Sequence, residues 1–246
     1  MPDNTKDSHR KARANSELAD APVIKQSWYA KYEVPRKVLH SSIGVASLVF
    51  YRYGATGSQL IRYIIPSLAI IVSADLLRFN SPGFARTYES LLGPLMRTNE
   101  RTSWNGVIFY MLGTVSVLYL LPEDIATLSV VLLSWCDTAA STIGRAYGSY
   151  GPNLRKGKSV IGSLAAVATG AFATWLFYDQ FAYLRPENLS WDRTNGISLG
   201  WLSLLGGIIA SFSEFVDIWG IDDNLIIPIL SGGLLFAGLR VLGLGG

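Results

Sequence analysis

Residues 130–145 read VVLLSWCDTAASTIGR and set a carboxylate, Asp137, inside an apolar run. In water that aspartate would need no explanation. In a bilayer core a charged side chain costs about 3 kcal/mol or more, and such residues mark working sites. The medium therefore decides the reading. Working outward, the apolar pattern recurs in seven blocks, at roughly 38–53, 61–77, 104–121, 125–144, 159–181, 199–219 and 224–243. Most approach the roughly 20 residues that cross a bilayer core as helix. The first is short and gains reach from Arg36 and Lys37 snorkelling at its end. Half of the 246 residues are hydrophobic and 16 % are charged, against about a quarter charged in soluble domains. Mean hydropathy is +0.29. The expected fold is all-α: a polytopic membrane protein of about seven transmembrane helices.

The same composition closes off other classes. Cys136 is the single cysteine, which excludes an intrachain disulfide and a cysteine-based zinc site, and two histidines argue against a histidine-rich metal centre. The net charge of +3 comes without an aromatic-and-basic surface pattern, so no nucleic-acid partner is expected. Residues 1–27 are polar and contain no hydrophobic signal region. They read as a disordered cytoplasmic tail, in which Ser16 stands three positions after Arg13, a spacing that basophilic kinases use. Residues 28–246 form the membrane domain.

Lysine and arginine placement gives the orientation, because cytoplasmic segments near spans carry their excess. With the N-terminus inside, the inner segments 1–37, 78–103 and 145–158 hold eight, four and four of the 21 basic residues. The outer segments hold two near 52–62 and two in 179–198, and Arg240 lies at the end of the last span. This split brings the other ionisable groups to one face. Asp75 and Arg78 end span two there, Asp137 lies about two turns from the end of span four, and Glu214 and Asp217 close span six. Asp222 and Asp223 come next in the connector, while Arg36, Lys37 and His40 open span one. A one-sided cluster drawn from four helices describes a polar active site that faces the cytoplasm. In the inner loop 78–103, Phe84, Tyr88, Leu91, Leu92 and Leu95 recur at helical spacing, as in a short helix lying in the membrane interface. Gly206-Gly207, Gly232-Gly233 and the small residues of span four permit close helix approach.

The segment C-terminal to Asp137 suits phosphate. Gly144-Arg145 and then Arg155-Lys156-Gly157-Lys158-Ser159 combine small residues with positive charge. Span five begins near Ser159, which aims a helix N-terminus at the same place. The stretch GPNLRKGKS imitates a P-loop, but five residues rather than four separate Gly151 from Gly157, and no strand is expected before it. Asp137 with Asp222 or Asp223 supplies oxygen ligands for Mg²⁺ or another divalent cation, which commonly takes one or two carboxylates plus substrate phosphates. A nucleotide donor and a lipid acceptor fit a site at the membrane edge, since phosphoryl transfer asks mainly for positioning and charge neutralisation.

At these residues the sequence resembles a known family. The segment EVPRKVLHSSIG (33–44), then SWCDTAASTIGRAYG, KSVIGS, LSLLGG and SEFVDIWGIDDNLIIPIL are similar, in the same order over about 30–243, to the fungal CTP-dependent diacylglycerol kinases. Dolichol kinases, phytol kinases and CDP-diacylglycerol synthases share variants of the pattern. The resemblance implies transfer of the γ-phosphate of CTP to diacylglycerol, giving phosphatidate, by a multi-pass protein of the endoplasmic reticulum membrane and nuclear envelope. By motif it carries over Arg36, Lys37, Asp137 and Gly144. The roles expected are Mg²⁺ binding or proton acceptance for Asp137 and phosphate or headgroup contact for Arg36 and Lys37. Lys156 and Lys158 neutralise the triphosphate, Gly144 and Ser159 stand with Arg145 at the phosphates, and Asp222 and Asp223 are further metal ligands. A polyprenol kinase, a lipid cytidylyltransferase acting at the α-phosphate, and a non-enzymatic lipid transporter or scaffold are the competing readings. A transporter would place its binding residues near the midplane, whereas these gather at one face.

Overall fold

A computed structural model describes residues 33–246 apart from Lys156, Glu187, Asn188 and Gly246. The N-terminal tail with Ser16, and Lys156 of the basic loop, lie outside the described residues. The described chain is all-α except for one small ribbon. Its helices are α1 (Val34–Arg52), α2 (Gly57–Asn80), α3 (Pro82–Leu92), α4 (Gly106–Leu120), α5 (Glu123–Tyr147), α6 (Val160–Leu176), α7 (Leu199–Phe215) and α8 (Asp223–Phe236). π-helical turns, Phe177–Phe181 and Ala237–Val241, extend α6 and α8.

The helix carrying Asp137 is the central column. Helix α5 starts behind Pro122 with Glu123 and Asp124 in its first turn and ends with Arg145 in its last, charges that suit the two ends of the helix dipole. Ile125, Leu128, Val131, Leu132 and Leu133 are fully buried, because α1, α6 and α8 pack along it, with α4 and α7 touching it as well. Small residues set the close approaches. A Cβ on Gly170 of α6 would stand 2.8 Å from Ala210 Cβ of α7, and one on Gly113 of α4 would stand 2.8 Å from the Asn224 carbonyl oxygen of α8. Backbones come this near only without a side chain between them.

Among the described residues, four segments are long and apolar enough to cross a membrane: Gly57–Asn80, Glu123–Tyr150, Val160–Leu184 and Asp223–Val241. Gly106–Leu120 and Leu199–Phe215 are shorter apolar helices, and α1 carries Arg36, Lys37 and His40 in its first two turns. Each of the seven expected apolar blocks coincides with one helix, and the expected interfacial segment is α3, whose Leu91 stays 73 % exposed while Tyr88 is buried. The ribbon departs from the expected fold. Asn153–Arg155 pairs antiparallel with Lys158–Ser159 around Gly157, whose φ of +81° suits glycine. The basic loop is therefore a hairpin that feeds directly into α6.

Candidate active site

Helix α5 presents Asp137 to a polar cavity of about 580 Å³, also lined by Ser141, Gly144, Arg145, Lys158, Ser159, Glu214 and Asp223. Four helices and the hairpin contribute. The Asp137 side chain is 16 % exposed, and its Oδ2 lies 3.9 Å from His40 Nε2 of α1. On the opposite wall Lys158 Nζ donates to Glu214 of α7 and stands 3.4 Å from Asp223 Oδ2 at the start of α8. Burial alone would lower the Lys158 pKa, but Glu214 and Asp223 outweigh it and raise the value. Ser159 caps α6, its Oγ accepting from Gly162 N–H at 3.2 Å. The first turn of α6, with its partial positive charge, therefore opens on the cavity.

The remaining expected residues fall into three groups. Gly144 lies within α5, and a Cβ there would reach Ser159 Oγ at 3.4 Å and Gly162 Cα at 3.5 Å. Its smallness brings the α6 cap close to the aspartate, and its amide belongs to the helix. Arg145 lines the cavity and pairs with Glu33 at 3.2 Å. Arg36 and Lys37, in the first turn of α1, are not among the cavity's lining residues. Arg36 pairs with Glu100 at 3.4 Å and Lys37 donates to Thr142 Oγ1 at 2.9 Å. Asp222 is turned to structural use as the N-cap of α8, accepting from Asn224 N–H at 2.9 Å. No group of three or more His, Cys, Asp and Glu side chains is close enough to hold a metal among the described residues. Asp137 and Asp223 share the cavity, and Asp222 is not among its lining residues. With Glu214 bonded to Lys158, Asp137 and Asp223 are the two of the three cavity carboxylates that match the one or two Mg²⁺ commonly takes beside phosphate oxygens.

Arg97 belongs to an inner loop, where an arginine is an ordinary topology signal. It lines the cavity from the connector before α4. Burial pushes its pKa down, yet Asp137, Asp222 and Glu100 together raise it, so the guanidinium is held charged. A buried pair fixes that connector. Arg78 Nε donates to Asp75 Oδ1 at 3.1 Å, and its other nitrogens donate to the carbonyl oxygens of Glu100, Arg101 and Ser103 at 2.8–2.9 Å. Asp75 Oδ2 accepts from Asn105 N–H at 2.7 Å. Nothing in the residue types of 97–105 announces that arrangement. Asp217, on the expected face, pairs with Arg155 of the hairpin at 2.9 Å.

Taken together, the cavity gathers the cations Arg97, Arg145 and Lys158, a helix N-terminus and the part-buried carboxylate of Asp137. Among known proteins, the chain is 45 % identical over 209 residues to the CTP-dependent diacylglycerol kinase 1 of Schizosaccharomyces pombe, covering 85 % of this chain and 94 % of that one. It is 41 % identical over 207 residues to the CTP-dependent diacylglycerol kinase 1 of Saccharomyces cerevisiae, covering 82 % and 71 %. A probable chloroplastic phytol kinase of Triticum aestivum is 26 % identical over 223 residues, covering 88 % and 69 %. No family model and no solved structure matches.

Proposed function

This chain belongs to the CTP-dependent diacylglycerol kinases, and from that premise we propose that the Asp137 cavity transfers the γ-phosphate of CTP to the free hydroxyl of diacylglycerol. The observation that carries the assignment is the meeting of Asp137, Arg97, Arg145, Lys158 and the Ser159-capped helix in one cavity. The cationic wall receives the triphosphate, with Lys156 assigned to the same task. The hydroxyl oxygen attacks the γ-phosphorus. A new P–O bond forms as the bond to the β,γ-bridging oxygen breaks, CDP leaves with the electron pair, and the hydroxyl proton passes to the Asp137 carboxylate. Such a reaction rests on alignment and charge neutralisation. Asp223, or Asp137 itself, with phosphate oxygens would hold a divalent cation, which supplies further neutralisation of the triphosphate. Asp222 supports that cluster by fixing the start of α8. Gly144 keeps the α6 cap near the phosphates, while Arg36 and Lys37 face the lipid headgroup side. The same reading places the protein in the endoplasmic reticulum membrane and nuclear envelope, with seven spans, a cytoplasmic N-terminus and the cavity open to cytosolic CTP.

The weaker similarity to phytol kinases favours, as a second reading, an isoprenoid alcohol as acceptor. One pair of assays separates the two. Membranes holding wild type or Asp137→Ala at equal abundance are given γ-labelled CTP or ATP with Mg²⁺ and either diacylglycerol or phytol. Labelled phosphatidate from CTP, lost by roughly 100-fold or more in the variant, is the expected result. Label in phytyl phosphate alone would move the assignment to the isoprenoid acceptor, and label retained in the variant would remove Asp137 from the chemistry.

A further inference from the structure

Beside His40, which stands 3.9 Å from Asp137 Oδ2, lies a second cavity, of about 430 Å³, between α1, α2 and α4, with α3 beside its polar end. Its walls are apolar, with Leu39, Ile43, Ile64, Ile71 and Met111 among them. At the polar end Arg36 and Glu100 satisfy one another, and Asn105 donates to Tyr88 Oη at 3.2 Å. His40 does not fit that pattern. It is 7 % exposed, lines the cavity, and its Nε2 has no hydrogen-bond partner among the described residues. Asp137 Oδ2, at 3.9 Å, is beyond hydrogen-bond reach. A buried imidazole nitrogen left unpaired costs free energy that a hydroxyl in the cavity would recover.

We propose that this groove holds the acceptor lipid, with its free hydroxyl against His40 Nε2 and its acyl chains running between α1, α2 and α4. The inference rests on the kinase reading and adds to it a lipid site and a positioning residue. Three observations favour a long-chain lipid as the occupant. The cavity continues into a second apolar space of about 660 Å³ that shares Ile43, Ile64 and Thr114 with it and reaches Phe50. From His40 to Phe50 is ten residues along α1, or about 15 Å, which is length for a substantial part of an acyl chain. Helix α2 forms one wall yet has only 6 % of its apolar window buried, so the groove borders the surface that faces lipid. The cationic wall lies in the other cavity, which shares no lining residue with this one, so donor and acceptor occupy separate spaces that meet at Asp137 and His40.

The test uses the full chain in mixed micelles with a diacylglycerol carrying a diazirine in one acyl chain. Illumination should label peptides spanning 43–50, 64–71 and 107–111, which line the two apolar spaces. Excess diacylglycerol, but not phosphatidylcholine, should suppress the label. Ile64→Trp, which narrows the groove away from its head end, should raise KM for dioleoylglycerol roughly tenfold, with KM for dioctanoylglycerol and for CTP unchanged. His40→Phe should lower kcat roughly 100-fold for both acceptors through misplacement of the hydroxyl, with KM for CTP unchanged. Label confined to other helices, or label suppressed equally by phosphatidylcholine, would overturn the groove while leaving the kinase intact. Wild type that makes no lipid phosphate from CTP would instead bring down the kinase reading, and the groove's occupant with it.

Discussion

Lys158 keeps its positive charge against burial because two carboxylates, Glu214 and Asp223, hold it. The sign of the effect fixes its pH behaviour. A folded-state pKa raised above the ordinary lysine value means that the stabilisation is fully present below that value and is lost only as pH rises through the folded one. Lys158 therefore stays charged across roughly pH 6–9, below the ordinary lysine pKa, and no activity limb in that window belongs to it. Lys158→Met should reduce kcat/KM for CTP by about 100-fold, the loss typical of one well-placed charge-stabilising donor, while KM for diacylglycerol is retained. Initial rates at varied CTP and fixed lipid check this. An unchanged KM for CTP together with unchanged kcat would assign Lys158 to structure alone.

At the scale of elements, the connector between α3 and α4 matters most. Asp75 is fully buried and Arg78 is 4 % exposed, and the pair gives the backbone of Glu100, Arg101 and Ser103 its shape. Breaking a buried pair from one side leaves an uncompensated charge and costs about 3–5 kcal/mol. Arg78→Ala should thus lower the thermal midpoint in detergent and, by loosening the segment that carries Arg97, raise KM for CTP. Asp75→Asn with Arg78→Met removes both charges and should recover much of the stability without recovering KM. Elements of this kind also mark the limit of what sequence shows. Asp137 and Lys158-Ser159 were legible because a carboxylate in an apolar run and a basic, small-residue stretch before a span are each costly or directional in membrane. Arg97 was illegible because an arginine in an inner loop is an ordinary topology signal. The Asp75–Arg78 pair, bonded to the carbonyl of Glu100 across 22 residues of chain, and the Glu100 carboxylate, which accepts from Arg97 N–H at 3.0 Å, shape the connector that carries it. The hairpin escaped for a similar reason. It is a three-residue and a two-residue strand, too short for an alternating pattern to register.

At the scale of the whole molecule, the helices match the expected apolar blocks in position, but α1 is polar in its first two turns and α4 and α7 are short. Membrane orientation therefore depends on the basic residues, sixteen assigned inside and five outside, and on the demand that Asp137, Lys158 and Asp223 all reach cytosolic nucleotide. The first argument requires an odd number of crossings between the hairpin and the loop before α7, and the second an even number between the hairpin and the start of α8. Cys136 is the only cysteine and is buried, so Cys136→Ser gives a cysteine-free background in one step. On it, Tyr150→Cys beside the hairpin and Asn195→Cys in the loop between α6 and α7 report opposite faces. In sealed, cytoplasmic-side-out microsomes a membrane-impermeant maleimide should modify Tyr150→Cys at once and Asn195→Cys only after detergent is added. Modification of both before detergent would mean that α6 does not cross. The reverse order would put the cavity on the lumenal side and separate it from the cytosolic CTP that the mechanism requires.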